Sequence, residues 1–397
     1  MSNLLRKLGL FGGNPLSKDQ IRPFRPCFPD LEEFINPFSS ALVSGLVTNN
    51  GKYVLEFEES LEDFFDAPTL VFNNGQTALM IMLRAAGITS GEVIVPSYTF
   101  AGTPHAVSWC GATPVFCDLD SHSSLTISAT QVEKLINEKT VAILGVDIHG
   151  IACDYKQLAI LGERYGIPVL YDSAQSFGTR VNNQVVGSNG LAQMFSFHAT
   201  KSFSSMEGGC IVSRNPEFIS RAKALRNFGQ ESNYDCLEPG QNGKMLEVCA
   251  LVGIQQLKHF PNHAQNRIDI AQYLTSHISK LSGIMLPEVP DNQVPVWFNF
   301  PIIVDEETFG LTRDELVLAL QAENIEVRKY FEIPCHKFSC YADLADRTFP
   351  HTDYLSSRVI SLPIYHDLLQ SECDTIIQAI SEISAQAIKV REFLNNT

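Results

Sequence analysis

Short, nearly continuous apolar runs alternate with amphipathic stretches between about residues 69 and 213. Runs of successive apolar residues indicate strands covered on both faces, whereas the stretches between them show helical spacing. The predicted strands are 69–74, 92–97, 113–119, 141–148, 167–172, 192–198 and 210–213, and the predicted helices between them are 77–87, 128–138 and 154–166. This alternation predicts an α/β fold with a mostly parallel central sheet and helices on both of its faces.

The pattern becomes mainly helical after about residue 214, with predicted helices at 215–229 and 245–260. The remaining chain mixes a long helix with a strand at 296–304 and helices at 312–323 and 371–392. We therefore predict two domains. The large domain covers residues 1–260, including the N-terminal segment, and a smaller C-terminal α/β domain covers residues 261–397.

Composition narrows the range of partners. The chain has 29 basic and 44 acidic residues, for a net charge of −15, which disfavours nucleic acid or an anionic membrane surface as the main partner. The ten cysteines are scattered without a C-x-x-C pair, which predicts reduced thiols and a cytoplasmic location. No apolar stretch approaches the length of a membrane-spanning helix, so we expect no membrane span.

Two predicted strands end in residues that suit an anion and a cation, at the edge where open α/β sheets bind ligands. The first strand leads into Gly75, Gln76 and Thr77, which open a helix whose free N–H groups favour an anion. The strand at 167–172 ends in Asp172, a carboxylate that needs a partner because its surroundings are apolar. Each feature alone is also explained by an ordinary turn or helix cap.

A third strand end carries Lys201, within the sequence SFHATKSFSSMEGG and with no carboxylate inside four residues on either side. A solvated loop would explain such a lysine by itself. An anion cradle, a buried carboxylate and an isolated lysine together, however, are the parts that hold pyridoxal phosphate. The cradle takes the phosphate, Asp172 keeps the ring nitrogen protonated, and Lys201 forms a Schiff base with the aldehyde.

Six motifs then follow in order: NNGQTAL, PSYTFAGTPHAVSWCGATPVFCDLD, YDSAQSFGT, FSFHATKSFSSMEGG, LRNFG and NGKMLEVCALVGIQQL. In these motifs, and from about residue 8 to residue 385, the chain closely resembles the DegT/DnrJ/EryC1/StrS family of sugar aminotransferases. The resemblance implies an aspartate-aminotransferase-like fold (fold type I) and pyridoxal 5'-phosphate as cofactor. Within the family, TFAGTPHAVSW and SFHATK followed by EGG are most similar to enzymes that aminate C4 of dTDP-4-keto-6-deoxyglucose, in viosamine and desosamine synthesis.

The resemblance also implies residue roles. Lys201 matches the lysine that holds the cofactor and then moves the proton, and Asp172 matches the partner of the ring nitrogen. Gln175 matches a side chain near the phenolic oxygen, and Phe100 a ring stacked on the pyridine. Asn227 matches a residue that reaches the phosphate from the partner subunit, which implies a homodimer.

The remaining implied roles concern the phosphate and the sugar. The phosphate ligands implied by the resemblance are Gly75, Gln76, Thr77 and Ser196. The residues implied to lie near the sugar are His149, His336 and Tyr341. Cys335 and Cys340 flank His336, but no second C-x-x-C or H-x-x-H pattern supports a metal site, and we expect no metal.

The implied reaction transfers an amino group from L-glutamate to a nucleotide-linked keto sugar. Amination at C3, a GDP-linked sugar, a sugar without a nucleotide and a non-catalytic regulator that retains the cofactor stay open as alternatives. A related branch with histidine in place of the lysine acts as a dehydratase, and Lys201 argues against that branch. Met206 and Ser176 depart from the small residue and the alanine that many members have, and we expect both near the cofactor.

Overall fold

The computed structural model describes residues 6–230, 235–344 and 347–396. The strands are β1 (Thr69–Phe72), β2 (Glu92–Pro96), β3 (Thr113–Cys117), β4 (Thr140–Val146), β5 (Val169–Asp172), β6 (Arg180–Val181), β7 (Gln184–Val185), β8 (Ala192–Ser196), β9 (Gly209–Val212), β10 (Ile284–Met285), β11 (Gln293–Val294), β12 (Phe300–Val304) and β13 (Val359–Leu362). The helices are α1 (Leu31–Ser44), α2 (Lys52–Phe65), α3 (Gly75–Ala85), α4 (Gly102–Trp109), α5 (Ala129–Glu133), α6 (Tyr155–Tyr165), α7 (Pro216–Arg226), α8 (Glu247–Ile278), α9 (Glu306–Phe309), α10 (Arg313–Ala322), α11 (Pro350–Arg358), α12 (Gln370–Ser384) and α13 (Ala387–Asn395).

Seven strands form the central sheet, in the order β1-β9-β8-β5-β4-β2-β3. Strand β9 runs antiparallel to both of its neighbours, β1 and β8, whereas the pairs among β8, β5, β4, β2 and β3 are parallel. The prediction of an α/β fold with a mostly parallel sheet is therefore confirmed. The carboxyl ends of β1, β5 and β8 lie on one edge of this sheet because the three strands run in the same direction.

Helices cover both faces of the sheet, as the continuous apolar runs predict. On one face, a core cluster joins residues of α3 and α7 to the sheet, including Leu79, Met82 and Ala222. On the other face, α6 packs over β4 and β5 and α2 packs with α8. Helix α3 begins directly after β1 because the Asn74 side chain accepts a hydrogen bond from the Thr77 N–H, 2.7 Å away.

Two helical predictions need correction. The stretch 128–138 is helical only over α5, because the Asn137 side chain accepts the Lys139 N–H at 2.8 Å and forms a turn instead. The stretch 371–392 contains two helices, α12 and α13, because the chain turns at Gln386, whose side chain donates to the carbonyl of Arg6 at 3.1 Å. The short strands β6, β7 and β11 form a separate three-stranded sheet that the apolar pattern does not predict.

The C-terminal region contains a three-stranded antiparallel sheet, β10-β12-β13, packed against α10 and α12. Part of the N-terminal segment joins this core, since Ile21 is buried there and its N–H donates to the Asn324 carbonyl at 2.9 Å. Helix α8 runs through residues 260 and 261 without interruption. The division at this point stays a prediction. Among the described residues, no helix is both long enough and apolar enough to cross a membrane.

Candidate active site

A cavity of about 770 Å³ opens at the carboxyl ends of β1, β5 and β8. The predicted site residues that line it are Gly75, Gln76, Phe100, Asp172, Gln175, Ser196 and Lys201. These residues come from separate parts of the chain, and the sheet brings them together because its parallel strands end at the same edge. The walls formed by the described residues do not include Thr77, His149, Asn227, His336 or Tyr341.

Asp172, the last residue of β5, faces this cavity from a buried position, 7% exposed. Its Oδ2 accepts a hydrogen bond from the Thr103 hydroxyl at 2.7 Å, and its Oδ1 accepts one from the Ala174 N–H at 3.2 Å. Burial raises the pKa of Asp172, whereas the Thr103 hydrogen bond and the charge of Lys201 lower it. Each carboxylate oxygen retains accepting capacity, so Asp172 can also bind a cationic group in the cavity.

Lys201 lies in the turn after β8, where its N–H donates to the His198 carbonyl at 2.9 Å. Its Nζ lies 4.5 Å from the centre of the Phe298 ring. Burial lowers the pKa of the Lys201 ammonium to about 8, and the charge of Asp172 opposes this shift. A sizeable fraction of the amine is therefore neutral near physiological pH, as a nucleophile or a base requires.

The start of α3 has the shape of a phosphate cradle. Gly75 lies against Ser196, and a Cβ on this glycine would come within 2.8 Å of the Ser196 Cβ and 3.0 Å of its Oγ. A glycine is therefore needed for the helix to begin beside the end of β8. The N–H groups of Gly75 and Gln76 belong to the first turn of the helix, which lacks intrahelical acceptors. The Thr77 N–H, in contrast, already donates to Asn74.

Gln175 lines the cavity, and His149 lies behind it. The Gln175 Oε1 accepts a hydrogen bond from the His149 N–H at 2.8 Å. The His149 ring is fully buried, and its Nε2 lies 3.3 Å from the Tyr98 hydroxyl. Burial lowers the pKa of His149 to about 4, so the imidazole is neutral at physiological pH. In this chain, His149 supports Gln175 through its backbone, and direct contact with a ligand stays a prediction.

The remaining predicted residues have their own neighbours. Phe100 lines the mouth of the cavity with 63% of its surface exposed, so its ring is free to cover a ligand. Asn227 ends α7 outside the cavity of its own chain, and its Oδ1 accepts from the Lys244 Nζ at 2.9 Å. Its role across a subunit interface stays a prediction, since only a second copy of the chain can test it.

His336 and Tyr341 are buried away from the cavity. The His336 Nδ1 lies 2.6 Å from the Ser97 hydroxyl, and its ring stacks on Phe349 at 4.1 Å. The Tyr341 hydroxyl lies 3.1 Å from the Ser108 hydroxyl. Both side chains therefore pack in the interior near α4, and the sugar contact that the resemblance implies for them stays a prediction.

Aromatic and charged residues of the opposite wall do not emerge from the strand-end pattern. They are Phe24, Phe298, Arg328, Tyr330 and Phe331, and all of them lie outside the central sheet. The runs WFNF at 297–300 and RKYF at 328–331 are the sequence signal for four of them, since clustered aromatic residues beside an arginine are typical of a binding surface. Arg328 is exposed and forms an ion pair with Glu326 at 2.8 Å.

The two departures from the family pattern lie at the margin of the site. Ser176 is fully buried, and its hydroxyl donates to the Ser173 carbonyl at 3.2 Å, on the side away from the cavity. Met206 has a left-handed backbone, with φ of 69°, and packs against the core between α2 and α8. A small residue, above all glycine, adopts this conformation at least cost. The structure gives no reason for methionine at this position.

Comparisons with known proteins identify the family. The sequence model of the DegT/DnrJ/EryC1/StrS aminotransferase family matches residues 30–381. The chain belongs to this family. It is 33% identical over 363 residues to the dTDP-4-amino-4,6-dideoxy-D-glucose transaminase of Shigella dysenteriae, covering 90% of this chain and 98% of that protein. It is also 33% identical over 344 residues to the GDP-perosamine synthase of Vibrio cholerae, covering 85% and 92%.

A solved structure extends the agreement to the fold. The crystal structure of DesI in the presence of its TDP-sugar product superimposes with a TM-score of 0.90 at 31% identity, covering 98% of each chain. The predictions of the family, the aminotransferase activity and the fold are therefore confirmed. As in the family, the cofactor is pyridoxal 5'-phosphate, which confirms the cofactor prediction.

The residues of the cavity fit this cofactor. The close approach of Gly75 and Ser196 leaves N–H and hydroxyl donors at the start of α3 for the phosphate. Asp172 retains open acceptor positions for a protonated ring nitrogen, and Lys201 supplies the amine. The residue assignments themselves are predictions that the experiments below test.

Proposed function

We propose that this enzyme transfers the amino group of L-glutamate to a nucleotide-linked keto-deoxy sugar. The specific substrate that we propose is dTDP-4-keto-6-deoxy-D-glucose, and the product is dTDP-4-amino-4,6-dideoxy-D-glucose. The observation that carries the proposal is the convergence of Lys201, Asp172 and the Gly75 turn on one cavity that is large enough for a cofactor with a substrate beside it.

The cofactor supplies an electron sink that stabilises the carbanion formed when a proton leaves the carbon next to the amine. Lys201 moves this proton. Its Nζ, whose pKa is lowered to about 8, can accept the proton from the amino donor and later return one to the sugar carbon. Asp172 holds a positive charge against its open oxygens, and Thr103 fixes the carboxylate in that direction. The ring of Phe298 lies beside Lys201, with its centre 4.5 Å from the Nζ.

Several observations support the choice of sugar. The Shigella relative is named for the product proposed here, and the DesI structure is described with a TDP-sugar product. The opposite wall offers Arg328 for a diphosphate and the aromatic rings of Phe24 and Tyr330 for a base or a hexose. The Vibrio relative keeps a GDP-linked substrate as the second candidate, and amination at C3 is the third. A non-catalytic regulator is disfavoured because the family and the relatives named above are described as aminotransferases.

We also propose that the enzyme acts as a cytoplasmic homodimer. All ten cysteines are unpaired, as expected in a reducing compartment. Helix α1 and the segment after it expose apolar side chains, including Leu31, Val43 and Leu46 at 66%, 90% and 59%. Surfaces of this kind are typical of subunit interfaces.

The proposal is tested by incubating the enzyme with L-glutamate and a panel of dTDP- and GDP-linked 3-keto and 4-keto 6-deoxy sugars. Products are identified by mass spectrometry, and the aminated carbon is located by NMR. We expect the highest kcat/KM with dTDP-4-keto-6-deoxyglucose and an amine at C4. A preference for a GDP-linked sugar or for amination at C3 would change the proposed substrate but leave the proposed aminotransferase activity in place. No amination of any sugar would contradict the proposed function.

A further inference from the structure

A cluster of one cysteine and two histidines lies outside the cavity, between three separate segments. Cys27 lies in the N-terminal segment before α1, His263 lies in α8, and His366 lies in the loop after β13. One donor atom from each residue, a sulfur and two ring nitrogens, lies within 4.8 Å of the other two. All three residues are half-buried. We propose that Cys27, His263 and His366 bind a divalent transition-metal ion of the Zn²⁺ class.

The donor set suits this class of ion. Zinc binds cysteine sulfur and histidine nitrogen in a tetrahedral arrangement, at about 2.3 Å and 2.0–2.1 Å respectively. Donors around such an ion are about 3.3–3.6 Å apart, so the three side chains need to move together by about 1 Å or somewhat more. Mg²⁺ and Ca²⁺ prefer oxygen donors and are not expected to bind. Three protein ligands leave one position of the tetrahedron for water.

The two histidines lie close together, and their surroundings favour the neutral form that binds a metal. The rings of His263 and His366 lie 4.2 Å apart, centre to centre. Burial lowers the pKa of His263 to about 4, and the neighbouring His366 lowers it further. Burial also lowers the pKa of His366. Neutral imidazoles are the ligand form, so only the Cys27 thiol has to release a proton when the ion binds. Burial raises the pKa of this thiol and so opposes that step.

Negative groups around the cluster favour a bound cation, and one buried cation opposes it. Arg267, one turn after His263 in α8, is buried, and its Nη1 donates to the carbonyls of Trp297 at 2.8 Å and Ile364 at 3.1 Å. This cation opposes a second positive charge. The thiolate of Cys27 neutralises one charge of the ion, and Asp367, beside His366, provides a further carboxylate. The net charge of −15 also attracts cations to the molecule as a whole.

The position of the cluster connects it to the cavity. Phe24, three residues before Cys27, lines the active-site cavity. The connecting Arg25 is already held to the same loop through an ion pair with Asp367 at 2.8 Å and a contact with the Tyr365 ring at 4.8 Å. A metal ion would add a coordinate link between the N-terminal segment, α8 and the 363–369 loop. It would thereby fix the segment that carries Phe24.

The first test measures alkylation of Cys27 by iodoacetamide in the holoenzyme, with the modified peptides quantified by mass spectrometry. At a Zn²⁺ concentration ten times Kd, only about a tenth of the thiol is free, so alkylation of Cys27 slows about tenfold. Mg²⁺ leaves the rate unchanged. Cys236, which is exposed, serves as the internal control and reacts equally with either ion. Equal rates of Cys27 alkylation with and without Zn²⁺ would overturn the proposal.

A second test uses Co²⁺ as a spectroscopic probe, read as a difference spectrum so that the absorption of the bound cofactor is subtracted. We expect a thiolate-to-cobalt charge-transfer band that Cys27→Ser abolishes and that Cys340→Ser retains. Loss of a group that only hydrogen-bonds to a metal ligand lowers metal affinity by about 10- to 100-fold. His263 and His366 are direct ligands in this proposal, so His263→Gln and His366→Gln should lower the affinity for Co²⁺ by about 100-fold or more. His277→Gln, at the far end of α8, should not. A band that survives in Cys27→Ser would overturn the assignment.

Discussion

Two buried aspartates lie side by side on neighbouring strands, and their surroundings differ. Asp147 follows β4 and Asp172 ends β5, and the Asp147 N–H donates to the Asp172 carbonyl at 2.9 Å. Asp147 accepts hydrogen bonds from the Ser173 hydroxyl at 2.5 Å, the Tyr155 hydroxyl at 2.6 Å and the Cys153 N–H at 2.9 Å. Asp172 accepts only two hydrogen bonds from described residues, at 2.7 Å and 3.2 Å, and faces the cavity.

The difference in hydrogen-bond partners indicates which carboxylate is available to bind a ligand. Burial raises the pKa of both groups, so a shifted pKa does not separate them. The hydrogen bonds distinguish the two carboxylates. The acceptor positions of Asp147 are occupied by protein donors, whereas those of Asp172 are partly open. We therefore infer that Asp147 stabilises the sheet edge, whereas Asp172 is available to a ligand.

The largest expected effect on activity comes from replacing Asp172 with asparagine, and Asp147→Asn is the matched comparison. Asp172→Asn removes the negative charge that would hold a protonated ring nitrogen, and we expect kcat to fall on the order of 10²- to 10³-fold with the fold retained. Asp147→Asn leaves the cavity intact but weakens a buried hydrogen-bond network. Its free energy of unfolding should fall by about 1–3 kcal/mol, with kcat of the folded enzyme changed less than about threefold.

The measurements are kcat/KM with the preferred sugar and the midpoint of urea unfolding for both variants. If Asp147→Asn lost as much activity as Asp172→Asn while remaining folded, the distinction between the two carboxylates would be wrong.

A smaller loss is expected when the hydrogen bond that orients Asp172 is removed. Thr103→Val conserves the shape of the side chain but deletes the hydroxyl that donates to Oδ2 at 2.7 Å. A hydrogen bond to a charged group contributes about 1.5–3 kcal/mol, so we expect kcat/KM to fall by about 10- to 100-fold. Thr179→Val is the matched control, since Thr179 donates to the Gly150 carbonyl at 2.8 Å outside the cavity. Equal losses in both variants would point to a packing effect.

The pH dependence of cofactor binding separates the aspartates in another way. Because the pKa of Lys201 is lowered to about 8, its amine is mostly neutral above this pH. The neutral amine is the form that reacts with the cofactor aldehyde. The rate at which the apo-enzyme is reconstituted with cofactor should therefore rise through about pH 8 and level off above it. The charge of Asp172 raises this pKa. The midpoint should therefore shift to lower pH in Asp172→Asn and stay in place in Asp147→Asn, as measured by absorbance after rapid mixing. A shift in the opposite direction would contradict the interaction between Lys201 and Asp172.

The smallest effect is expected at Phe298, whose ring centre lies 4.5 Å from the Lys201 Nζ. An aromatic ring stabilises the charged amine by about 0.5–2 kcal/mol, whereas leucine fills similar space without this attraction. Phe298→Leu should therefore lower the midpoint of the same pH profile by about 0.4 to 1.5 units. An unchanged midpoint would mean that the ring acts by packing alone.

The sequence pattern predicts much of the sheet because the strands of this sheet are covered on both faces. Each of the seven predicted strands between residues 69 and 213 corresponds to a strand of the central sheet. The antiparallel direction of β9 is not evident from its apolar run, because covered strands of either direction have the same composition. The short strands β6 and β7 are likewise too short to show a period.

Part of the candidate site is predictable because polar residues stand out at the ends of apolar strands. Asp172 and Lys201 stand at the ends of apolar runs, where a polar side chain is conspicuous. Asp147 stands at a similar end, and its role depends on Tyr155 and Ser173, whose approach follows from the fold and not from local sequence. Residues of the opposite wall, such as Phe298, belong to a separate part of the chain.

The link between Lys201 and the cofactor can be tested directly by borohydride reduction of the holoenzyme, which converts a Schiff base into a stable amine. The reduced protein is digested, and the position of the added mass is determined by tandem mass spectrometry. We expect the cofactor on the Lys201 Nζ alone, and no label in Lys201→Ala. A label on another lysine, or a reduced holoenzyme with no covalent cofactor, would contradict the role assigned to Lys201 and with it the proposed arrangement of the site.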